Sequence, residues 1–149
     1  MPGAKVFIDS NVLLYGRDEA LHAKAEMSNA WLSRTVADGA ACANLQVLNE
    51  VTNVMLRKRK DLTAAAIFAA IDELSFLGRK AITDLTVTRA RELRLATQYS
   101  WWDCLLLASA LELGCRYFLS EDLQDGHEVE GLTIVNPFAH SPEQILISR

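Results

Sequence analysis

Four carboxylates stand where the surrounding sequence is otherwise apolar or amphipathic. Asp9 directly follows one short apolar run, and Asp122 lies just after another. Glu50 borders the apolar stripe of an amphipathic segment, and Asp103 belongs to a segment that is apolar nearly all round. Clustered carboxylates repel one another unless a cation joins them, and Mg²⁺ favours a few carboxylates together with retained waters. If the four acids meet, the pattern predicts an open site for a hard divalent cation.

Each acid also has an ordinary structural explanation. Asp9 can cap a following helix, as Asp, Ser and Asn residues commonly do. Asp122 can belong to a solvated loop, and Glu50 can be a solvated carboxylate at a helix edge. Asp103 completes a capping box with Ser100, although an acid in the first helical turn can cap the helix and still face a cleft. Both explanations stay open for all four residues.

The elements needed to position these acids alternate along the chain. Strands are predicted at 6–8, 40–43, 81–85, 115–119 and 132–135, and helices at 12–15, 22–37, 45–57, 63–77, 86–98 and 100–113. Such alternation predicts a mostly parallel sheet covered by helices on both faces, an α/β fold. Ligands bind beyond the carboxyl ends of strands in such sheets, where Asp9 and Asp122 are expected. The length of 149 residues fits one domain spanning 1–149, since a domain averages about 150 residues.

The charge balance of the chain is mildly acidic. Fifteen Lys and Arg residues against nineteen Asp and Glu residues give a net charge of −4. A broad basic surface for nucleic acid is therefore disfavoured. Without the four candidate acids, 19 − 4 leaves 15 acidic residues against 15 basic ones. The acidic excess equals the charge of the candidate site.

Composition and cysteine usage indicate the class of protein and its compartment. With 50% hydrophobic and 23% charged residues, the chain is neither disordered nor of low complexity. The three cysteines have no zinc-type spacing and are interpreted as reduced core thiols. No signal peptide is visible, and the apolar stretch 104–111 is too short to span a membrane. We expect a cytoplasmic domain with no membrane association.

The motifs that carry these acids resemble those of PIN-domain nucleases, in particular the VapC-type toxins of toxin–antitoxin pairs. The matching stretches are Val-Phe-Ile-Asp-Ser-Asn-Val-Leu at 6–13, Glu50, Trp-Asp-Cys-Leu at 102–105, Leu-Ser-Glu-Asp-Leu-Gln-Asp-Gly at 119–126 and Ile-Val-Asn-Pro-Phe at 134–138. The resemblance implies a three-layer α/β/α fold with five strands in the order 3-2-1-4-5. It also implies an Mg²⁺- or Mn²⁺-dependent endoribonuclease that forms a homodimer and is inhibited by a cognate antitoxin.

The resemblance also assigns roles to individual residues. Asp9, Glu50, Asp103 and Asp122 match the acidic quartet of the family, in which the three aspartates hold the metal and the glutamate shares in the site by orienting or deprotonating the attacking water. Asn11 and Ser120 match supporting polar positions, with Ser120 standing where the family commonly has Thr. Asp125 is a nearby acid that could replace or assist Asp122.

Basic and aromatic residues are the candidates for contacts with RNA. They are the run Arg57, Lys58, Arg59 and Lys60, together with Arg89, Arg91 and Arg94. Such charge runs are more often solvated connectors or helix faces. Three tryptophans could stack on bases, but packing in the core or in a dimer is the favoured explanation for them.

Two other functions remain as alternatives. A phosphatase of the haloacid-dehalogenase type also opens with a strand followed by Asp, but it normally has a second Asp two residues later, where this chain has Asn11. A non-catalytic PIN-like binding module would not need the intact quartet. Neither the RNA substrate, the identity of the antitoxin nor the number of metal ions follows from the sequence.

Overall fold

The first apolar run becomes an inner strand of the sheet. We analysed a computed structural model, which describes residues 3–18, 20 and 22–146, so the ends of the predicted domain at 1–2 and 147–149 lie outside the described residues. Strand β1, Val6–Ile8, is fully buried and pairs in parallel with β2, Ala41–Cys42, and β3, Tyr117–Leu119. Strand β5, Leu132–Val135, pairs in parallel with β3, and β4, Glu128–Val129, pairs antiparallel with β5. The strand order is β2-β1-β3-β5-β4.

Seven α-helices flank this sheet in the described part of the chain. They are α1 Ser10–Tyr15, α2 His22–Ala37, α3 Leu45–Lys58, α4 Ala64–Glu73, α5 Asp84–Ala96, α6 Trp101–Glu112 and α7 Pro142–Ile145. Helix α6 is buried from Cys104 through Ala110, as expected for a helix apolar nearly all round. The rings of Phe7 and Phe118 stack with centroids 5.2 Å apart and tie β1 to β3. No described helix has the length and apolar character needed to cross a membrane.

The fold class predicted from the sequence is confirmed. The strands at 40–43, 6–8, 115–119 and 132–135 lie side by side in the order implied by the resemblance. The strand predicted at 81–85 is wrong, because residues 81–83 form a connector without strand pairing and residues 84–85 already belong to α5. The Thr83 side chain accepts a hydrogen bond from the backbone N–H of Thr86, and the Thr86 side chain accepts one from the backbone N–H of Thr83, forming a capping box that starts the helix at Asp84.

Two further boundaries differ from the sequence-based prediction. The segment predicted as one helix over 63–77 is helical only to Glu73 and then continues as a 3₁₀ turn, Ser75–Leu77. The predicted loop at 120–131 contains β4, which joins β5 through a tight turn at Glu130 and Gly131, both with positive φ (50° and 89°). A two-residue strand leaves no periodicity in a sequence, so it could not be recognised.

Gly78 allows the 3₁₀ turn to pass closely over the end of β2. The backbone N–H of Ala43 donates to the Leu77 carbonyl at 2.9 Å, and that of Leu45 donates to the Lys80 carbonyl at 3.1 Å. Gly78 lies between them with φ 131° and ψ 148°, and a Cβ there would lie only 2.6 Å from the Ala43 carbonyl oxygen. Only glycine fits this conformation and this contact.

Replacing Gly78 by Ala is therefore expected to destabilise the fold by at least about 2 kcal/mol, from backbone strain and the clash with Ala43 together. Gly114→Ala is the matched control, because Gly114 also has positive φ (75°) but a Cβ there would meet nothing within 4 Å. It should lose only about 1 kcal/mol. Urea unfolding measures both, and equal losses would show that the close approach at Gly78 is unimportant.

Candidate active site

Asp9 lies at the carboxyl end of β1 and caps α1. Its side chain is only 4% exposed, and its Oδ1 accepts a hydrogen bond from the Ser10 backbone N–H at 2.7 Å. Its Oδ2 accepts one from the Ser120 hydroxyl at 2.8 Å. Burial raises the pKa of Asp9 to about 7, helped by the charges of Glu50 and Asp103, although the two hydrogen bonds oppose the shift. A carboxylate in this position is short of positive charge.

Ser120 and Asn11 connect Asp9 to Asp122. Ser120 is fully buried at the end of β3, where its backbone N–H donates to the Val135 carbonyl at 3.1 Å. Its Oγ accepts the backbone N–H of Asp122 at 3.2 Å, and Asn11 Nδ2 donates to Asp122 Oδ2 at 3.0 Å. The buried Oδ1 of Asn11 has no hydrogen-bond partner among the described residues. An unpaired buried acceptor is costly, and a cation or a bound donor there would remove that cost.

Asp103 lies half-buried in the first turn of α6. The Ser100 hydroxyl donates to its Oδ2 at 2.8 Å, and the Asp103 backbone N–H donates to Ser100 Oγ at 3.2 Å. Burial and the negative charge of Asp122 raise the pKa of Asp103, although the Ser100 hydrogen bond lowers it. Asp103 thus caps the helix and also lies close enough to two other acids to sense their charge.

Glu50 reaches the same region from α3. It is half-buried, and its Oε1 accepts a hydrogen bond from Gln46 Nε2 at 3.2 Å. Its charge is one cause of the raised pKa of Asp9. The structure therefore links all four predicted acids electrostatically: Asp9 with Glu50 and Asp103, and Asp103 with Asp122.

The four acids do not form a closed cage of ligands. In the described parts of the chain, no group of three or more His, Cys, Asp or Glu side chains is close enough to hold a metal ion as it stands. The donor set still fits Mg²⁺, which is commonly held by one or two carboxylates and completes its shell with waters. The unpaired Asn11 Oδ1 and the buried, charge-repelled Asp9 are the observations that favour a cation here.

Asp125 contacts residues other than those that surround the four acids. Its Oδ1 accepts the backbone N–H of Asn136 at 2.8 Å, and its Oδ2 lies 2.6 Å from His140 Nε2. Partial burial opposes ionisation, but these contacts hold the pKa of Asp125 below its usual value. The geometry therefore favours Asp122 over Asp125 as the fourth acid.

Glu121 belongs to a cluster that the sequence did not reveal. It forms an ion pair with Lys24, whose Nζ also lies 4.6 Å from the centre of the Tyr15 ring and 5.2 Å from that of Phe138. Burial opposes ionisation of Glu121, but hydrogen bonds from Lys24 and Tyr15 lower its pKa. The two residues of this ion pair are 97 positions apart in the chain, so no local pattern could have predicted it. It neutralises the acid next to Asp122.

The basic run at the end of α3 reaches a cavity beside the acids. Lys58 and Arg59 line this cavity of about 560 Å³ together with Asn11 and Arg17. Arg59 also binds Asp61 through two hydrogen bonds of 2.9 and 2.8 Å. The other two members of the run lie outside the cavity: Arg57 is exposed, and Lys60 Nζ donates to the Leu56 carbonyl at 3.4 Å.

The raised pKa of Asp9 predicts a pH dependence of stability in metal-free protein. Unfolded Asp9 ionises near pH 3.8, whereas folded Asp9 keeps its proton to about pH 7, so its contribution to stability falls as pH rises through that window. The loss is up to about 1.4 kcal/mol per pH unit. Asp9→Asn stays neutral and should lack this loss, so the variant should be more stable than wild type at pH 8. Urea unfolding in EDTA across the window tests this, and parallel curves for the two proteins would contradict it.

Comparison with known proteins places the fold and these residues in a family. The model of the PIN domain family matches residues 6–124, a segment that includes Asp9, Glu50, Asp103 and Asp122 and ends before Asp125. No curated protein sequence matches the chain. The structure is similar to that of a chain described as "Toxin-antitoxin complex from Klebsiella pneumoniae", with a TM-score of 0.62 and 15% sequence identity, covering 89% of this chain and 98% of that one. Because the family model matches well over half of its length, the chain belongs to the PIN domain family, whose members are generally nucleases.

Proposed function

We propose that this protein is a metal-dependent endoribonuclease that acts as the toxin of a toxin–antitoxin pair. The observation that carries the proposal is the Asp9 carboxylate, which is buried at the end of β1. The two acids nearby, Glu50 and Asp103, raise its pKa further instead of lowering it. Asp9 has no ion pair in the described residues, and uncompensated buried charge of this kind is typical of functional sites. Its family supplies the general activity, cleavage of nucleic acid.

Asp9, Asp103 and Asp122 are the residues that would hold the metal, directly or through waters, with Glu50 at the edge of the site. When bound, Mg²⁺ or Mn²⁺ would supply positive charge at the scissile phosphate and lower the pKa of a water molecule. Ser10 and Ser120 fix the two oxygens of Asp9 by hydrogen bonds, so the carboxylate is oriented before any ion arrives. Asn11 fixes Asp122 in the same way.

Glu50 is the residue placed to handle the proton of the attacking water. Its Oε1 is held by Gln46, and no hydrogen bond within the described residues engages its Oε2. A general base in this position accepts the proton as the water attacks the phosphorus in line with the leaving oxygen.

The basic residues near the acids support RNA as the substrate. Lys58 and Arg59 line the cavity that Asn11 shares, and Arg57 is exposed on the same helix. These cations can contact phosphates next to the scissile bond, whereas Lys60 is held at the helix end. A phosphatase of the haloacid-dehalogenase type is less well supported, because Asn11 binds Asp122 where that chemistry needs a second aspartate.

We base the proposed partners of this enzyme on the similarity of its fold to a known structure. The similarity to a chain of a toxin–antitoxin complex extends over 89% of this chain, and 98% of the other chain is matched. We infer that a cognate antitoxin inhibits the protein by covering the acidic site, and that the active form is a homodimer in the cytoplasm. Exposed apolar side chains on the described surface, such as Phe68 at 50% and Leu85 at 69%, leave area for such contacts.

Paired substitutions test the assignment of the acids. Asp9→Asn, Asp103→Asn and Asp122→Asn should each reduce Mg²⁺-dependent cleavage of RNA at least about 100-fold, because each removes a charge from the site. Asp125→Asn is the matched control and should retain activity within about threefold, since Asp125 binds Asn136 and His140 instead. Gel analysis of cleavage of total RNA measures all four. Full activity of Asp9→Asn, with its fold intact by circular dichroism, would refute the site.

Binding of the ion can be measured without activity. Mg²⁺ or Mn²⁺ should raise the melting temperature of wild-type protein at pH 8, where Asp9 is ionised. At an ion concentration 100 times the dissociation constant, the free energy of unfolding should increase by about 2.7 kcal/mol. Asp9→Asn should show little of this effect. Equal shifts in the two proteins would indicate that the ion binds elsewhere.

A further inference from the structure

A second cavity is lined by Glu50 and by none of the residues of the basic run. It measures about 510 Å³, within the roughly 300–1,000 Å³ typical of small-molecule sites. Helix α3 forms one wall with Gln46, Asn49 and Asn53, while Ile82 of the connector and Trp102 of α6 contribute apolar surface. The cavity shares Glu50 with the acidic site, and Trp102 is the residue before Asp103.

Trp102 is not packed in the core. Its side chain is 64% exposed, although the neighbouring residues from Cys104 onward are buried. Trp102 lines the cavity with this exposed ring, and a flat aromatic face can stack on another planar group. The capping of α6 by Ser100 fixes the start of the helix and hence where Trp102 stands relative to Asp103.

The opposite wall presents amide side chains on one face of α3. Gln46, Asn49 and Asn53 are spaced three and four residues apart, so they share one side of the helix. The buried Oε1 of Gln46 has no hydrogen-bond partner among the described residues, while its Nε2 donates to Glu50. An amide offers a donor and an acceptor side by side, the pattern that matches the edge of a nucleobase.

We propose that this cavity is a base-binding subsite, in which one unpaired base of the RNA substrate stacks on Trp102 while Asn49, Asn53 and Gln46 hydrogen-bond its edge. The proposal rests on the proposed function and extends it, because it places a nucleotide adjoining the cleaved phosphodiester and gives the enzyme a source of sequence preference. Single-stranded RNA is recognised in this manner, by aromatic stacking and by hydrogen bonds to exposed base edges.

The charge of the cavity favours a base over other occupants. None of the described residues that line it is Lys or Arg, and Glu50 contributes negative charge, so a phosphate group is disfavoured. A neutral, flat base with a polar edge suits one apolar wall and one amide wall. The connector at 79–83 contributes Ala81 and Ile82 to the lining and is anchored by the hydrogen bond between the Leu45 N–H and the Lys80 carbonyl.

The test measures binding separately from cleavage. In an Asp9→Asn background with Mg²⁺, so that RNA persists, binding of four end-labelled RNA hexanucleotides of single base composition is followed by fluorescence anisotropy of the label, and quenching of tryptophan fluorescence is recorded in parallel. We expect at least one of them to quench the fluorescence. Trp102→Ala should abolish the quenching and weaken binding about five- to one-hundredfold, as expected for the loss of one stacked base. Trp102→Phe should retain most of the affinity.

The matched control is Phe76→Ala, since Phe76 is 63% exposed, almost as exposed as Trp102, but does not line the cavity. It should bind RNA as the parent does. Asn53→Ala, which leaves the aromatic ring in place, should change the bases found beside cleavage sites when RNA ends are sequenced after digestion by otherwise wild-type protein. Positions of cleavage report recognition, which a loss of stability alone would not alter.

The outcomes separate this inference from the proposed function. Unchanged binding by Trp102→Ala, or unchanged cleavage positions for Asn53→Ala, would overturn the subsite even if the protein cleaves RNA. If Trp102→Ala converts a dimer to a monomer in sedimentation while RNA binding is unchanged, the ring is an interface residue and the proposal is wrong. Absence of Mg²⁺-dependent cleavage by wild-type protein would instead overturn the proposed function, and the binding results would still decide the subsite.

Discussion

The burial of the Asp9 carboxylate is the constraint on which the site depends. A charged group 4% exposed at a strand end needs compensation, and the described residues provide no ion pair for it, only two hydrogen bonds from Ser10 and one from Ser120. Burial raises its pKa to about 7, and the charges of the surrounding acids add to the shift. A fold selected for stability alone would place an amide here. An acid at this position is explained if a cation binds to it. The uncompensated burial of the Asp9 carboxylate then accounts both for the electrostatic cost in the free protein and for the binding of the ion.

Most of the site could be predicted because its geometry follows from sheet topology. The carboxyl ends of β1 and β3 are adjacent, and the backbone N–H of Asp9 donates to the Leu119 carbonyl at 3.1 Å, so residues that follow these strands must meet. Asp103 was identifiable from its capping sequence within an apolar helix. Glu50 was identifiable from its position at the edge of an apolar stripe, which places it beside the buried face of α3.

The remainder depends on contacts that no local pattern encodes. The segment at 81–85 alternates like a strand, but the hydrogen bonds between Thr83 and Thr86 favour the start of a helix. These hydrogen bonds are local, so they form without a neighbouring strand. The distinction between Asp122 and Asp125 required Asn11 and His140, from opposite ends of the chain, each of which binds one of the two acids. Likewise, Trp102 was expected in a core or interface, yet only the fold shows that it borders a cavity with Glu50.

Placement of charge reconciles an acidic chain with a polyanionic substrate. The net charge of −4 equals the charge of the four acids, and the structure shows how the neighbouring acids are kept out of the site. Lys24 neutralises Glu121, and His140 contacts Asp125, so the negative field beyond β1 and β3 comes mainly from the proposed ligands. An ion bound there would offset part of that field where a phosphate must approach. Lys58 and Arg59 line one cavity, which Asn11 shares, and amides and Trp102 line another, which Glu50 shares. Under the proposed function, this asymmetry would give a bound strand a direction, with phosphates attracted to the first cavity and a base read in the second.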